Sequence, residues 1–174
     1  TNYFEWTFRN KRHYKWEKDK NLCTIYWKEY KVVLTLNDYS QSTTYVHNFR
    51  VTDERHQKLI DDAVKYFKHD CFWLIAPYTI FNTNVERRLS TFNNKDALLI
   101  TYKNNPPYTN DSFLWILDNE GKPKSVKIWS SLMPLKGIEA TWSDWITTES
   151  GAILPSHHNL LFFSFNLGDV KATN

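Results

Sequence analysis

The sequence has few of the residues on which nucleotide sites, disulfide scaffolds and membrane spans depend. Its 174 residues include 4 glycines, 2 cysteines and 1 methionine. No GxGxxG, GxxxxGKS/T, GxSxG or HExxH motif is present, and so few glycines cannot form a loop that cradles phosphate. No run approaches the roughly 20 consecutive apolar residues that a membrane helix needs. The net charge of +3 is too small to indicate a nucleic-acid partner.

Aromatic residues are what the chain has in excess. They make up 17% of it, with 8 Trp, 10 Tyr and 11 Phe. Such large and rigid side chains suit the broad faces of β-sheets, and an excess of them favours a surface that holds something apolar. The length is that of one domain, and no linker or repeat divides it, so we expect a single domain over residues 1–174.

Alternation of apolar and polar residues predicts short antiparallel strands through most of the chain. Before residue 50 the pattern gives five strands separated by polar turns, at residues 4–8, 14–16, 23–27, 32–36 and 44–49. Later strands are expected at residues 96–102, 113–117, 124–129, 138–145 and 160–167.

One segment has the period of a helix instead. From Thr52 to about His69, apolar residues recur at spacings of three and four, and Thr52 or Asp53 can cap the first turn. The expected fold is therefore mainly β (α+β): a curved antiparallel sheet or half-barrel of about nine to ten strands, wrapped on one main helix.

No catalytic or metal centre can be assembled from the sequence, so we expect a protein that is not an enzyme and has no cofactor. His157 and His158 are adjacent and would point to opposite faces of a strand, where they could not share a metal ion. His69 is interpreted as a residue of the last helical turn, where positive charge is favoured. His13 or His47 beside two carboxylates in a cleft would reopen the enzyme hypothesis.

The two cysteines leave two alternatives open. Cys23 and Cys71 could form a disulfide in an oxidising compartment, or they could be two small buried side chains. Their spacing matches no CxxC motif, and it does not choose between the two.

The candidate ligand site is the concave face of the sheet, closed by the helix. Its predicted lining consists of five sheet residues and two helix residues: Trp6, Phe8, Trp27, Trp115 and Trp142, with Val64 and Phe67. One alternative is that these side chains form a solid core. Another is a carbohydrate-binding β-sandwich module with a row of exposed Trp rings. Base stacking is disfavoured because Lys and Arg are interleaved with Asp and Glu, so no nucleic acid is expected.

The order of elements, a sheet with a helix between its early and later strands, resembles the half-barrel of bacterial lipoprotein carriers of the LolA and LolB type. His69-Asp70-Cys71-Phe72-Trp73-Leu74-Ile75-Ala76-Pro77 resembles an (N/H)DxFWLxxP segment of secreted proteins from Gram-negative bacteria. Residues 113–118, 124–129 and 137–142 resemble later strands of the same family.

This resemblance implies non-catalytic binding of a lipid acyl chain or another apolar small molecule. It also implies a periplasmic or secreted location, and an outer-membrane or lipoprotein partner. The chain starts in mid-pattern at Thr1, so a lipid anchor carried by an upstream segment is part of the expectation.

Overall fold

Strands account for most of the chain in the computed structural model, which describes residues 1–103, 111–130, 133 and 135–174. The strands are β1 (Tyr3–Phe8), β2 (Arg12–Glu17), β3 (Leu22–Trp27), β4 (Tyr30–Thr35), β5 (Thr43–Val46), β6 (Phe49–Val51), β7 (Val85–Phe92), β8 (Lys95–Tyr102), β9 (Ser112–Leu117), β10 (Pro123–Trp129), β11 (Ile138–Thr147), β12 (Ile153–Leu160) and β13 (Phe163–Thr173). The helix α1 spans Arg55–Ile75, and short 3₁₀ helices span Tyr39–Gln41 and Ala76–Phe81.

The strands form one sheet in the order β6-β5-β4-β3-β2-β1-β13-β12-β11-β10-β9-β8-β7. Sequence neighbours pair as antiparallel hairpins, and β1 pairs with β13 to join the two ends of the chain. Among the described strands, β6 and β7 are the two free edges. The expectation of a mainly β, antiparallel fold with one main helix is confirmed, but the described part of the chain has 13 strands rather than nine or ten.

The chain divides into two compact units. Unit 1 comprises residues 1–74, 145–156 and 166–174, and unit 2 comprises residues 75–144 and 157–165. Unit 1 contains α1 and the strands β1 to β6, while unit 2 contains β7 to β10. In the described part of the chain, no helix is long and apolar enough to cross a membrane.

The described residues form three strands more than the ten that the sequence pattern predicts, and each difference has its own physical reason. Residues 44–49 are a hairpin of β5 and β6, because His47 and Asn48 take positive φ angles of 48° and 68° and reverse the chain. Strand β7 is an edge strand whose residues are mostly exposed, so it lacks an alternating pattern. Residues 160–167 contain the turn between β12 and β13 and are not one strand.

Helix α1 is longer at its C-terminal end than the sequence predicts. It is capped as expected, since the Asp53 side chain accepts a hydrogen bond from the Arg55 backbone N–H at 3.0 Å. It then continues to Ile75, one residue before the 3₁₀ helix that contains Pro77. His69 is therefore not in the last turn, and its interpretation as a C-terminal dipole partner is wrong.

The core of unit 1 is the layer between α1 and one face of the sheet. The alternating residues of β1 to β4 that face α1 are almost fully buried: Phe4, Trp6, Phe8, Tyr14, Cys23, Ile25, Trp27, Val32 and Leu34. Burial of each large apolar side chain stabilises the fold by about 1.5–3 kcal/mol. This layer contains five of the seven predicted site residues.

Candidate functional site

The predicted site residues fall into two groups, one in each unit. Unit 1 holds Trp6, Phe8 and Trp27 on the sheet, which are buried, and Val64 and Phe67 on α1, which are half-buried. Unit 2 holds Trp115 and Trp142, each 2% exposed, with ring centroids 5.1 Å apart. Whether these residues bind a ligand stays a prediction.

In unit 1, edge-to-face contacts between aromatic rings are part of the packing of the helix on the sheet. The rings of Phe67 and Trp16 are T-shaped with centroids 5.4 Å apart, and those of Tyr66 and Trp27 are T-shaped with centroids 5.6 Å apart. Both are the edge-to-face arrangement that aromatic rings prefer. We call Trp6, Trp16, Trp27, Tyr66 and Phe67 the aromatic layer.

Two donors of the aromatic layer have no acceptor. The Nε1 atoms of Trp6 and Trp16 are buried and have no hydrogen-bond partner among the described residues. Trp6 is 0% exposed and stacks on Tyr14 at 4.5 Å with nearly parallel rings, an arrangement set by their direct pairing across β1 and β2. A buried donor without an acceptor costs about 1–3 kcal/mol, so its partner is normally protein, water or ligand.

A buried carboxylate fixes α1 to β2. Asp70 is 0% exposed. It accepts hydrogen bonds from Arg12 Nε at 2.6 Å and Arg12 Nη2 at 3.1 Å, from the Tyr14 hydroxyl, and from His69 Nδ1 at 2.8 Å. Both carboxylate oxygens are thus satisfied twice. We call Asp70, Arg12, Tyr14 and His69 the Asp70 cluster.

Burial and the paired charges of the Asp70 cluster shift the pKa values of Arg12 and Tyr14. Burial lowers the pKa of Arg12, but the hydrogen bonds and charge of Asp70 outweigh it, and the pKa is raised. Burial, with the adjacent Asp70 charge, raises the pKa of Tyr14. The Arg12 guanidinium also lies over the rings of Phe8 and Tyr66, at 5.0 Å and 4.5 Å from their centroids.

Sequence reasoning missed the Asp70 cluster. The sequence feature that could have revealed it is the charged residue Asp70 directly before an apolar run through residue 76. This pattern indicates a carboxylate in a buried part of a helix. Cys71 follows directly and is buried, as is Cys23 on β3. Both thiols are free, so the structure shows two buried small side chains.

On the other face of the sheet, His13 belongs to a hydrogen-bonded network of polar side chains. Its Nε2 lies 3.0 Å from Glu5 Oε1, and its Nδ1 lies 3.2 Å from Thr7 Oγ1, which in turn donates to Asp169 at 3.1 Å. Tyr3 donates to Glu5 at 2.8 Å. His13 therefore contacts one carboxylate directly and reaches a second only through Thr7.

The groups around Glu5 favour its ionised form. Burial raises the pKa of Glu5, but the Tyr3 hydrogen bond and the charges of Lys15, Lys171 and His13 outweigh it and lower the pKa. Burial and the bond to Glu5 raise the pKa of Tyr3 to about 12.

The sequence also raises two possibilities for chemistry, His47 as a catalytic residue and a metal site formed by histidines. His47 is exposed in the turn between β5 and β6. Across residues 1–103, 111–130, 133 and 135–174, no three His, Cys, Asp or Glu side chains are grouped as metal ligands.

In unit 2 the aromatic contacts continue from Trp142 to a buried histidine. His158 lies 5.1 Å from Trp142 and 5.2 Å from Phe165, and its Nδ1 donates to the Thr141 carbonyl oxygen at 3.3 Å. Burial lowers the pKa of His158 to about 3, so the imidazole is neutral at physiological pH. The sequence pattern predicts no strand at His158 and does not connect it with Trp142, whereas the structure places it on β12.

The exposure of the Trp residues bears on the carbohydrate alternative. All eight lie in the described part of the chain, where Trp129 alone is more than a third exposed, at 38%. A sugar-stacking surface needs several exposed rings in a row. The structure therefore offers no such row.

The chain has similar chains among solved structures. No family model and no curated protein matches the chain. Among solved structures, the chain is similar to a domain from Vibrio parahaemolyticus, at 9% identity and a TM-score of 0.41 over 98% of this chain and 83% of that one. That domain is assigned to outer membrane lipoprotein sorting.

A second similar structure is a DUF1329 family protein from Desulfovibrio piger, at 10% identity and a TM-score of 0.41 over 97% of this chain and 82% of that one. The sequence resemblance named lipoprotein carriers, and a lipoprotein-sorting domain is among these similar structures. At this identity and TM-score, the likeness assigns neither an activity to the chain nor a role to any of its residues.

Proposed function

We propose that the protein binds an apolar molecule, with a lipid acyl chain as the reference case, in the aromatic layer of unit 1, and that it does so without catalysis. The observation that carries the proposal is the pair of buried indole N–H groups, Trp6 Nε1 and Trp16 Nε1, that have no acceptor among the described residues. An acyl ester or fatty acid has both an apolar chain for the rings and carbonyl oxygens for these donors.

The rings at the margin of the aromatic layer support this proposal because solvent still reaches them. Phe67, Val64 and Trp16 are half-buried, whereas Trp6 and Trp27 are buried. An acyl chain that packs against Phe67 and Trp16 would therefore remove further apolar surface from water. A periplasmic or secreted location and a lipoprotein or outer-membrane partner belong to the same proposal, and the sequence resemblance is their basis.

The test begins with native mass spectrometry of the purified protein, before and after solvent extraction, to detect a bound lipid. A dansyl-labelled fatty acid then reports binding through energy transfer from Trp, with unlabelled palmitate as competitor. We expect saturable binding that Trp16→Phe weakens about tenfold, equivalent to about 1.4 kcal/mol. Trp145→Phe is the matched control, because Trp145 on β11 is half-buried like Trp16 and lies outside the aromatic layer.

A buried water or a solid core gives a different result. If the two indole donors are hydrated, Trp16→Phe changes the stability of the fold and leaves the affinity for the probe unchanged. Absence of saturable binding in the unmodified protein, or equal weakening by Trp16→Phe and Trp145→Phe, refutes the proposal.

A further inference from the structure

Exposed apolar side chains gather at one end of the unit 2 strands. The register places the start of β7 beside the end of β8, where Val85 pairs with Tyr102, and the start of β9 beside the end of β10, where Ser112 pairs with Trp129. Gly137, just before β11, lies so close to Trp129 that a Cβ atom at this position would be 3.3 Å from Trp129 Nε1. The turn between β12 and β13 lies at the same end, since Asn159 bonds to Thr141 of β11.

We call this edge of unit 2 the apolar end. Its exposed large apolar side chains come from the 3₁₀ helix before β7, from β10 and the segment that follows it, and from the β12–β13 turn: Phe81, Trp129, Leu135, Leu161, Phe162 and Phe163. Phe162 is 96% exposed and Phe81 is 78% exposed. Leu161, Phe162 and Phe163 are consecutive in one turn, and exposed apolar groups that adjoin in this way mark a contact surface, whereas single ones need no explanation.

The β12–β13 turn contains a residue that its backbone geometry disfavours. Leu161 takes a φ of +53°, while the other hairpin turns that require positive φ use polar residues or glycine, as at His47-Asn48 and Gly121. A left-handed conformation is strained for a residue with a branched apolar side chain. Leu161 is therefore unfavourable for the turn itself, which points to a contact made by its side chain and by the exposed Phe162 beside it.

The charges near the apolar end are predominantly positive. Of the carboxylates there, Asp111 is buried, and each of the other two is bridged by a lysine, Glu86 by Lys103 and Glu139 by Lys127. Two further cations, Arg87 and Lys136, donate to the carbonyl oxygens of Ile80 and Ser130 at 2.7 Å and 2.8 Å. Hydrogen bonds to carbonyls leave the charge of these two groups uncompensated.

We propose that the apolar end docks on the surface of a lipid bilayer, with Phe162 and Phe163 entering the boundary between headgroups and acyl chains. A turn tip with consecutive exposed Leu and Phe can enter a soft apolar phase. Trp and Phe favour this boundary, and nearby Arg and Lys complement anionic headgroups. This inference concerns unit 2 alone and does not depend on a ligand in the aromatic layer of unit 1.

The test is flotation of the protein with vesicles of equimolar phosphatidylglycerol and phosphatidylethanolamine. We expect the unmodified protein to float and the Phe162→Ser/Phe163→Ser variant to bind at least tenfold more weakly. Phe49→Ser is the matched control, since Phe49 is 79% exposed but lies on β6 in unit 1. Lys136→Glu should weaken binding to these vesicles and not to vesicles of phosphatidylcholine alone.

A depth measurement distinguishes insertion from adsorption. A nitroxide on Phe162→Cys should gain collisions with dissolved oxygen and lose collisions with a water-soluble nickel complex when vesicles are added. The proposal is overturned if the unmodified protein does not float, if Phe49→Ser weakens binding as much as the double variant, or if the label stays in water. It is also overturned if sedimentation shows a dimer that the double variant abolishes, because the apolar end then joins two copies of the chain.

Discussion

The Asp70 cluster offers the sharpest test of what holds α1 on the sheet of unit 1. Asp70→Asn keeps the size of the side chain but removes its charge and turns one acceptor oxygen into a donor. The new NH2 group must then face donors of Arg12, Tyr14 or His69, because these three residues supply all the hydrogen bonds that Asp70 accepts in the structure.

The expected loss of stability is about 3–5 kcal/mol, the cost of breaking a buried ion pair by removing one partner. Arg12 is then left with an uncompensated charge, and its side chain is only 18% exposed. For a chain of this length, the lower bound of about 3 kcal/mol corresponds to a fall in Tm of roughly 6–12 °C. Replacing both members, as in Asp70→Leu with Arg12→Met, should recover part of the loss, because no buried charge remains.

The measurement is urea unfolding followed by circular dichroism, with Asp61→Asn as the control. Asp61 is an exposed residue of the same helix, so its substitution should change stability by no more than about 0.5 kcal/mol. If Asp70→Asn costs no more than Asp61→Asn does, the cluster does not hold α1 in place and the reasoning fails.

Two other buried groups give predictions of their own. Because burial lowers the pKa of His158 to about 3 from 6.5, the unfolded chain binds a proton that the folded one does not. Stability should therefore fall by up to about 1.4 kcal/mol per unit as pH drops from 6.5 toward 3. In pH-dependent urea unfolding, His158→Phe should flatten this slope and His157→Gln should not. Burial raises the pKa of the Cys23 and Cys71 thiols, so iodoacetamide should alkylate them only in denaturant, and rapid alkylation of the folded protein would contradict this.

The sequence predicted the strands that bury one face. Phe4, Trp6 and Phe8 alternate with polar residues because β1 packs one face against α1 and exposes the other to polar neighbours. Strand β7 shows no such alternation because it is an edge strand with most of its residues exposed. The pairing of β1 with β13 joins Thr7 to Gly168 across almost the whole chain, and local patterns carry no information about pairing at that distance.

The end of α1 illustrates why the candidate site was only partly predictable. Residues 71–74 are all buried, and a helical segment that is apolar on every side has no 3.6-residue period to recognise. The sequence pattern therefore predicts that the helix ends near His69. Without the helical continuation, it does not predict that Asp70 lies beside Tyr14 and Arg12. The inward direction of Trp6 and Trp27 was predictable from alternation alone.

The alternation of the strands determines which side chains face inward, but it does not determine whether their polar atoms find partners. Tyr14 and Trp6 lie on the same face and stack on one another. The Tyr14 hydroxyl reaches Asp70, whereas Trp6 Nε1 reaches no acceptor among the described residues. A phenyl ring at either Trp position would supply apolar surface without a buried donor. Trp16→Phe therefore separates what the indole N–H contributes from what the aromatic ring contributes by packing.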